Sequence, residues 1–297
     1  MQILQCVPDF SEGRDPAFLE ALKGVLGKHA VKLLDLAMDK DHNRSEVNFL
    51  GAPEAVEEAA LAVASCALDL IDMRQHKGSH PRMGAVDVVP FIPVRGVTMA
   101  EAVELARRFG RAFAEAHQIP VFFYEEACTS EARRHLGDIR KSEYEGMLKK
   151  LQDPAWRVDA GPQRVNERWG VTAVGARMPL VAFNVQLHTG DLDIAKQVAN
   201  AVRSVGGGLR YVKAVGLPTE EPGVVQIAMT IENYRRTPLH RALELIRAEA
   251  ARYGVAVKWC GFSGMVPIEA LEEVVSYYLQ IPGFHSRQII EYHLLPE

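Results

Sequence analysis

The chain has 297 residues and a net charge of −4, with 48% hydrophobic and 24% charged residues, a composition suited to one large or two ordinary globular domains. The slightly acidic balance excludes the strongly basic face of a nucleic-acid binder, and no apolar run reaches the about 18 residues a membrane helix needs. The opening MQILQCVPDFSEG lacks the basic-then-apolar order of a secretory leader, and the scattered Cys6, Cys66, Cys128 and Cys260 lead us to expect reduced thiols in a cytoplasmic protein.

Gln2–Val7 reads as a strand, and Pro16–His29 as a helix with Asp15 at its N-cap and Pro16 at the first helical position. Val31–Leu36 and Glu46–Leu50 read as strands separated by the polar loop AMDKDHNRS. An Ala-rich helix over Pro53–Ile71 and a strand over Val86–Val94 complete a β-α-β-β-α-β run. A helix over Met99–Gln118, a strand over Val121–Tyr124 and charged helical sequence to about Lys150 extend it.

The second half repeats the order. Leu180–Leu187 is a strand, Leu192–Val205 a helix, Leu209–Val215 and Val224–Ile231 strands, Pro238–Tyr253 a helix and Val255–Cys260 a strand, with a closing helix over Ile268–Leu279. Two such runs predict an α+β fold of duplicated ferredoxin-like subdomains, residues 1–177 and 178–297, with antiparallel sheets and helices on the outer faces. Adjacent strands without an intervening helix argue against a single parallel sheet.

Between the halves, DPAWRVDAGPQRVNERWGVTAVGARMP (Asp153–Pro179) shows no sustained period. A structureless connection of that length is unusual inside a compact domain, while its two tryptophans and VTAV run argue against disorder. It reads as a binding loop at the domain junction.

Candidate chemistry gathers in GSHPRMGAVDVVPFIPVRG, Gly78–Gly96. His76 and His80 are four apart, a spacing that on a helix would suit a metal, but Gly78, Ser79 and Pro81 break the helix. No nearby carboxylate completes a ligand set, so no metal is expected. Gly206–Gly208 follows a helix and reads as a helix-ending turn rather than a phosphate cradle. His80 before Pro81 is held extended, which suits a positioned general acid/base; residue types alone leave a turn-capping histidine equally open. Pro90 and Pro93 fit an edge strand or a bulge. Arg44, Arg82, Arg95, Arg164, Arg168 and Arg177 lie in loops where together they could hold a ligand with several carboxylates.

The blocks CVPDFSEGRD, HNR, IDMRQHKGSHPRMGAVDVVPFIPVRGVTMAEAV, GPQRVNERWGVTAVGARMPLVAFNVQL and VAVKWCGFSGMVPIEAL resemble the transferase portion of the formimidoyltransferase-cyclodeaminase family over nearly the whole chain. The resemblance implies formimidoyl transfer between N-formimidoyl-L-glutamate and tetrahydrofolate, giving 5-formimidoyltetrahydrofolate and L-glutamate. It implies tetrahydrofolate as co-substrate, no metal, folate between the two subdomains, and a homodimer. His80 takes the catalytic position, with Asp35 expected to orient the ring or the substrate amine. Binding of folate and glutamate falls to Asn43, Arg44, Arg82 and the stretch Gly161, Pro162, Gln163, Arg164, Val165, Asn166, Glu167, Arg168, Trp169 and Gly170.

Two departures stand out. Gln163–Arg168 differs chemically from mammalian relatives, and Asp35-Leu36-Ala37 replaces an Asp-Xaa-Asp pattern, leaving Asp39 or Asp41 as substitutes. No cyclodeaminase segment is present before Glu297, so transfer without deamination is expected. Alternatives are formyl transfer between 5-formyltetrahydrofolate and glutamate, or a folate-binding protein without turnover. For the transfer itself, one histidine within about 3 Å of both nitrogens suffices to take the proton from the attacking amine and return it to the departing one.

Overall fold

The computed structural model describes residues 1–294, and the chain divides into two compact units, Met1–Arg177 and Met178–Glu297. In the first, β1 (Ile3–Cys6) and β2 (Asp9–Phe10) are two pieces of one interrupted strand between the same neighbours. Helix α1 (Pro16–Leu26) begins as its residue types dictate: the Asp15 carboxylate accepts the Ala17 N–H and Pro16 opens the first turn. Then come β3 (Val31–Asp39), β4 (Arg44–Gly51), α2 (Pro53–Leu70), β5 (Val86–Arg95), α3 (Met99–His117) and β6 (Val121–Glu125). Two short helices, α4 (Leu136–Arg140) and α5 (Glu143–Lys150), precede β7 (Thr172–Ala176).

The strands form one sheet in which β4 pairs with β3 on one side and with β1 and β2 on the other. Next to β1 and β2 lie β5, then β7, then β6. From β3 to β5 all neighbours are antiparallel, but β5, β7 and β6 run parallel. The expectation of an antiparallel sheet is therefore corrected here. A helix separates β5 from β6 and returns the chain in the same direction, as parallel neighbours require. The connection expected to be structureless contributes β7, because the VTAV run is buried on both faces. The polar loop after Leu36 is shorter than expected: β3 and β4 extend through it and leave a turn at residues 40–43.

Strand β5 is flanked on both sides over Val88–Phe91, so the edge-strand reading of its prolines is overturned. The bulge reading holds for Pro93, which lies beyond the β7 pairing and beside a register shift against β1. A second shift lies against β2, whose Asp9 and Phe10 pair with Val88 and Val86 and leave Asp87 out of the ladder.

One face of the sheet packs on α1, α2 and α3 through Phe10, Phe49, Phe91, Phe109 and Phe113. The Phe109 ring lies 5.2 Å from Phe91 and 5.8 Å from Phe113. On the opposite face, a smaller cluster including Met83, Phe122, Tyr124, Ile139 and Met147 covers the parallel strands. The antiparallel end of that face carries Arg44, Glu46 and Asn48, paired across the ladder with Asp39, Ala37 and Asp35.

The second unit comprises β8 (Val181–Leu187), α6 (Leu192–Val202), β9 (Val212–Pro218), β10 (Val225–Ile231), α7 (Leu239–Ala251), β11 (Val257–Ser263) and α8 (Ile268–Leu279). Its sheet order is β11-β8-β10-β9, antiparallel throughout. Strand β9 starts at Val212 rather than Leu209, after a turn in which Gly207 has φ +88°. The protein is thus a mixed α+β chain with two sheets. Among the described residues, no helix is long and apolar enough to cross a membrane.

Phe109 is fully buried between two rings, so Phe109→Ala should destabilise the first unit by about 3–5 kcal/mol. Denaturant unfolding followed by a probe in that unit checks this; a change below 1 kcal/mol, roughly the scale of a surface substitution, would contradict the packing described.

Candidate active site

The connection from α2 to β5 is fixed against the β3–β4 turn, and Asn43 does most of the fixing. It sits at φ +52°, a left-handed conformation that Asn tolerates better than most residues. Its buried side-chain oxygen accepts the Gly13 N–H at 2.9 Å, and its amide donates to the Lys77 carbonyl at 2.9 Å. Its own carbonyl meets His76 Nε2 at 2.9 Å. Ser79 Oγ adds a bond to the Asp41 carbonyl at 3.1 Å. A Cβ on Gly78 would lie 2.2 Å from the His42 carbonyl oxygen, so only glycine permits this approach. His80 therefore follows a backbone pinned to the hairpin and precedes a proline.

His80 Nε2 lies 3.0 Å from Arg44 Nη1. A guanidinium can only donate, so Nε2 is the acceptor and the ring proton sits on Nδ1. Burial first, then the positive charges of Arg44 and Arg140, push the His80 pKa down to about 4, with Asp87 opposing. The imidazole is neutral at physiological pH.

Around it lies a network of two arginines and three carboxylates. Arg44 Nη2 is 3.4 Å from Asp9 Oδ2 and 3.3 Å from Glu46 Oε2. Arg140 Nη2 is 2.5 Å from Asp87 Oδ2 and 3.3 Å from Asp9 Oδ2. Asp87, displaced from the ladder by the register shift, also accepts the Met83 N–H at 2.7 Å and the Gly84 N–H at 3.3 Å. Among the described residues Asp9 has only the two long charged contacts, and burial pushes its pKa up to about 7 against the pull of both guanidiniums.

The other expected site residues fall into two groups. Arg82 is buried and engaged: it donates to Glu143 and Glu145 at 2.6–2.8 Å and to His76 Nδ1 at 3.2 Å. It clamps α5 to the His80 loop rather than offering a guanidinium to ligand. Asp35 shares a sheet face with Arg44 but pairs with Asn48, four residues further along β4, or about 13 Å at the rise of a strand. Its exposed carboxylate accepts its neighbour Leu36 N–H, so it is not brought to the His80 ring. His76 and His80 face different partners, and among the described residues no group of three or more His, Cys, Asp or Glu could hold a metal ion.

The stretch 161–170 is ordered by its own bonds. Gln163 bridges the Leu151 and Trp156 carbonyls and accepts the Val158 N–H. Asn166 caps the Arg168 and Trp169 N–H groups, and Trp169 Nε1 donates to the Leu68 carbonyl at 2.7 Å. Arg168 donates to the Asp69 carbonyl and lies over the Trp169 ring. At Gly170, φ is +75° and a Cβ would lie 2.2 Å from the Met83 carbonyl oxygen. Gly161 and Pro162 open the stretch, Val165 packs on the smaller core cluster, and Glu167 offers its carbonyl to Tyr144. The stretch is thus tied to the end of α2 and to residues 151–158, and at Trp169 and Gly170 it meets the segment just after Pro81.

Four residues of the network, Asp9, Glu46, Asp87 and Arg140, were not singled out by sequence reasoning. Asp9 and Asp87 lie inside recognisable blocks, but only the strand pairing and the register shift reveal that they converge. Glu46 stands across the ladder from Ala37 and supplies a carboxylate beside Arg44, whereas Asp39 is engaged in capping the turn and pairing with His42. Chemically, the arrangement offers a neutral imidazole that can take a proton from a strongly acidic ammonium and, flanked by guanidiniums, would readily release it.

Two family models match in order: the formiminotransferase domain, N-terminal subdomain, over residues 3–177, and the formiminotransferase domain over residues 182–291. A glutamate formimidoyltransferase of Streptococcus pyogenes serotype M1 is 42% identical over 99% of both chains. One of Thermoplasma acidophilum is 40% identical over 98% of this chain and 97% of its own. The formimidoyltransferase-cyclodeaminase of Rattus norvegicus is 39% identical over 93% of this chain and 52% of its own length. With both halves matched and near-complete coverage of such relatives, the chain belongs to the formiminotransferase family.

Proposed function

We propose that this protein is a glutamate formimidoyltransferase, moving the formimidoyl group between N-formimidoyl-L-glutamate and tetrahydrofolate, its co-substrate, with His80 as general acid/base. The observation that carries the mechanism is the neutral His80 ring, pinned by the hairpin and accepting a hydrogen bond from Arg44. The family membership carries the substrates.

The N5 lone pair of tetrahydrofolate attacks the amidine carbon, and the C=N π pair moves onto the amidine nitrogen. The ammonium formed at N5 is a strong acid, so a base as weak as His80 removes its proton. The resulting imidazolium, beside Arg44 and Arg140, is a strong acid in turn and protonates the glutamate nitrogen as the C–N bond breaks. A low histidine pKa favours the acid half, while the base half relies on the high acidity of the N5 ammonium. Nε2 must be freed from Arg44 for this, and a substrate carboxylate that draws on the guanidinium begins the shift. Asn43, Arg82 and much of 161–170 hold the site's shape, while Asp35 lies on the substrate-facing side of the sheet.

In this reading the units are duplicated ferredoxin-like subdomains, supported by their shared strand order: the first strand lies between the third and the fourth, with the second outside the third. The four free cysteines agree with a reducing, cytoplasmic setting. A homodimer belongs to the reading through the family resemblance.

His80→Ala should lower kcat by roughly 10²–10⁴ with little change in folate affinity. Turnover of formimidoylglutamate with tetrahydrofolate measures this, and a folded His80→Asn variant with wild-type kcat would remove the ring from the mechanism. The neutral ring is lost only as pH falls through about 4, so His80 should give no acid limb near its ordinary value of about 6.5. Because Arg44 helps depress this pKa, Arg44→Gln should raise it, as read by imidazole NMR titration, and should also raise KM for formimidoylglutamate.

A further inference from the structure

Arg44 touches His80 through one terminal nitrogen and two carboxylates through the other. Nη1 is 3.0 Å from His80 Nε2, while Nη2 is 3.4 Å from Asp9 Oδ2 and 3.3 Å from Glu46 Oε2. If Nε2 takes a proton, the contact at Nη1 becomes one between two donors and two cations, and it must break. The guanidinium then has to move toward acceptors already within reach.

The carboxylates near Arg44 are not equivalent. Asp87 is saturated by two backbone N–H groups and Arg140. Glu46 is largely exposed, with 43% of its side-chain surface accessible, and water can solvate it, whereas the Asp9 side chain is 11% accessible. Asp9 is shared between Arg44 and Arg140 at 3.3–3.4 Å and makes no closer charged contact among the described residues. It is the buried, under-bonded acceptor, and the one whose energy gains most from a closer guanidinium.

We propose that Asp9 is a positioning residue for the transfer reaction, receiving the Arg44 guanidinium when His80 is protonated and releasing it when His80 is neutral. The role in turnover rests on the transfer reading above; the Asp9–Arg44–His80 linkage does not. No atom is lost or gained in the exchange: the proton passes from the attacking amine to His80 Nε2 and on to the departing glutamate nitrogen, while Arg44 shifts out and back. Only ionised Asp9 can act this way. The groups facing it are Arg44 and Glu46 from β4, Asp87 from β5 and Arg140 from α4, with His80 beyond Arg44. Burial sets Asp9 to ionise at about pH 7, so the linkage is present above that pH and lost below it.

The test uses the full chain labelled at histidine. In ligand-free wild type, the His80 Nε2 resonance should shift with a midpoint near pH 7 as Asp9 ionises, although the ring itself stays neutral. Asp9→Asn, shown folded by circular dichroism, should abolish that step, and Glu46→Gln should keep it. Asp9→Glu should keep it with a moved midpoint. In turnover, Asp9→Asn should lose kcat about tenfold, less than the roughly 10²–10⁴ of a direct acid/base because Asp9 acts through Arg44, with KM nearly unchanged and no limb near neutral pH. A His80 step that persists in Asp9→Asn, or wild-type kcat and pH profile in that variant, would overturn the proposal. If Asp9→Asn does not fold, absence of the step from both wild type and Asp9→Glu overturns it instead. Failure of wild type to transfer the formimidoyl group would sink the substrate assignment, while the NMR arm would still judge the linkage.

Discussion

Asn43 uses its side-chain oxygen, its amide and its own carbonyl within one turn, reaching Gly13, Lys77 and His76. A buried amide left unpaired costs about 1–3 kcal/mol per group, so these three bonds form together or the turn opens. They join the segment after β2, the β3–β4 turn and the loop before β5. Remove Asn43 and the loop keeps only the Ser79 bond to the Asp41 carbonyl as its hydrogen bond to the β3–β4 turn, ahead of the restriction at Pro81. The position of the imidazole thus depends on a residue whose own hydrogen bonds go to Gly13, Lys77 and His76.

The charge network follows from that geometry. Arginines and carboxylates with less than about a third of their surface exposed are costly to gather unless each is paired. Asp87 and Arg140 meet this requirement with short contacts. Asp9 does not, and its raised pKa is the energetic mark of a carboxylate kept in place by the surrounding fold. His80 is displaced the opposite way by the same surroundings. Burial is the largest cause of both shifts, raising the carboxyl and lowering the imidazole because each is disfavoured in its charged form.

Much of this was legible in the sequence, for physical reasons. Pro16 after Asp15 fixes a helix start locally, and His80-Pro81 restricts a backbone locally. Those readings depend on near neighbours alone. The repeated element order likewise needs only periodicity. The parallel strands were not legible, because VTAV is too short for periodicity to separate strand from buried loop, and its partners β5 and β6 lie far away in the chain. Pro90 and Pro93 suggested an edge or a bulge, and β5 is central, with a register shift and a short β7 absorbing the lost donor at Pro93. Arg82 suggested a ligand contact, but Glu143 and Glu145, some sixty residues on, had already claimed its donors.

The missing acid at Ala37 shows why a site cannot be judged along one strand. Read linearly, the change from Asp-Xaa-Asp to Asp35-Leu36-Ala37 removes a carboxylate and suggests Asp39 or Asp41 as replacements. In space, Ala37 pairs with Glu46, and directly opposed residues on one face have Cβ atoms about 4.5–5.5 Å apart. A glutamate on β4 can therefore restore negative charge to the same face, and its Oε2 lies 3.3 Å from Arg44. Asp39 cannot do so while its oxygens hold the turn and His42. The Ala37–Glu46 pairing is a cross-strand one, visible only in the register, and its carboxylate meets Arg44, the group that also contacts His80.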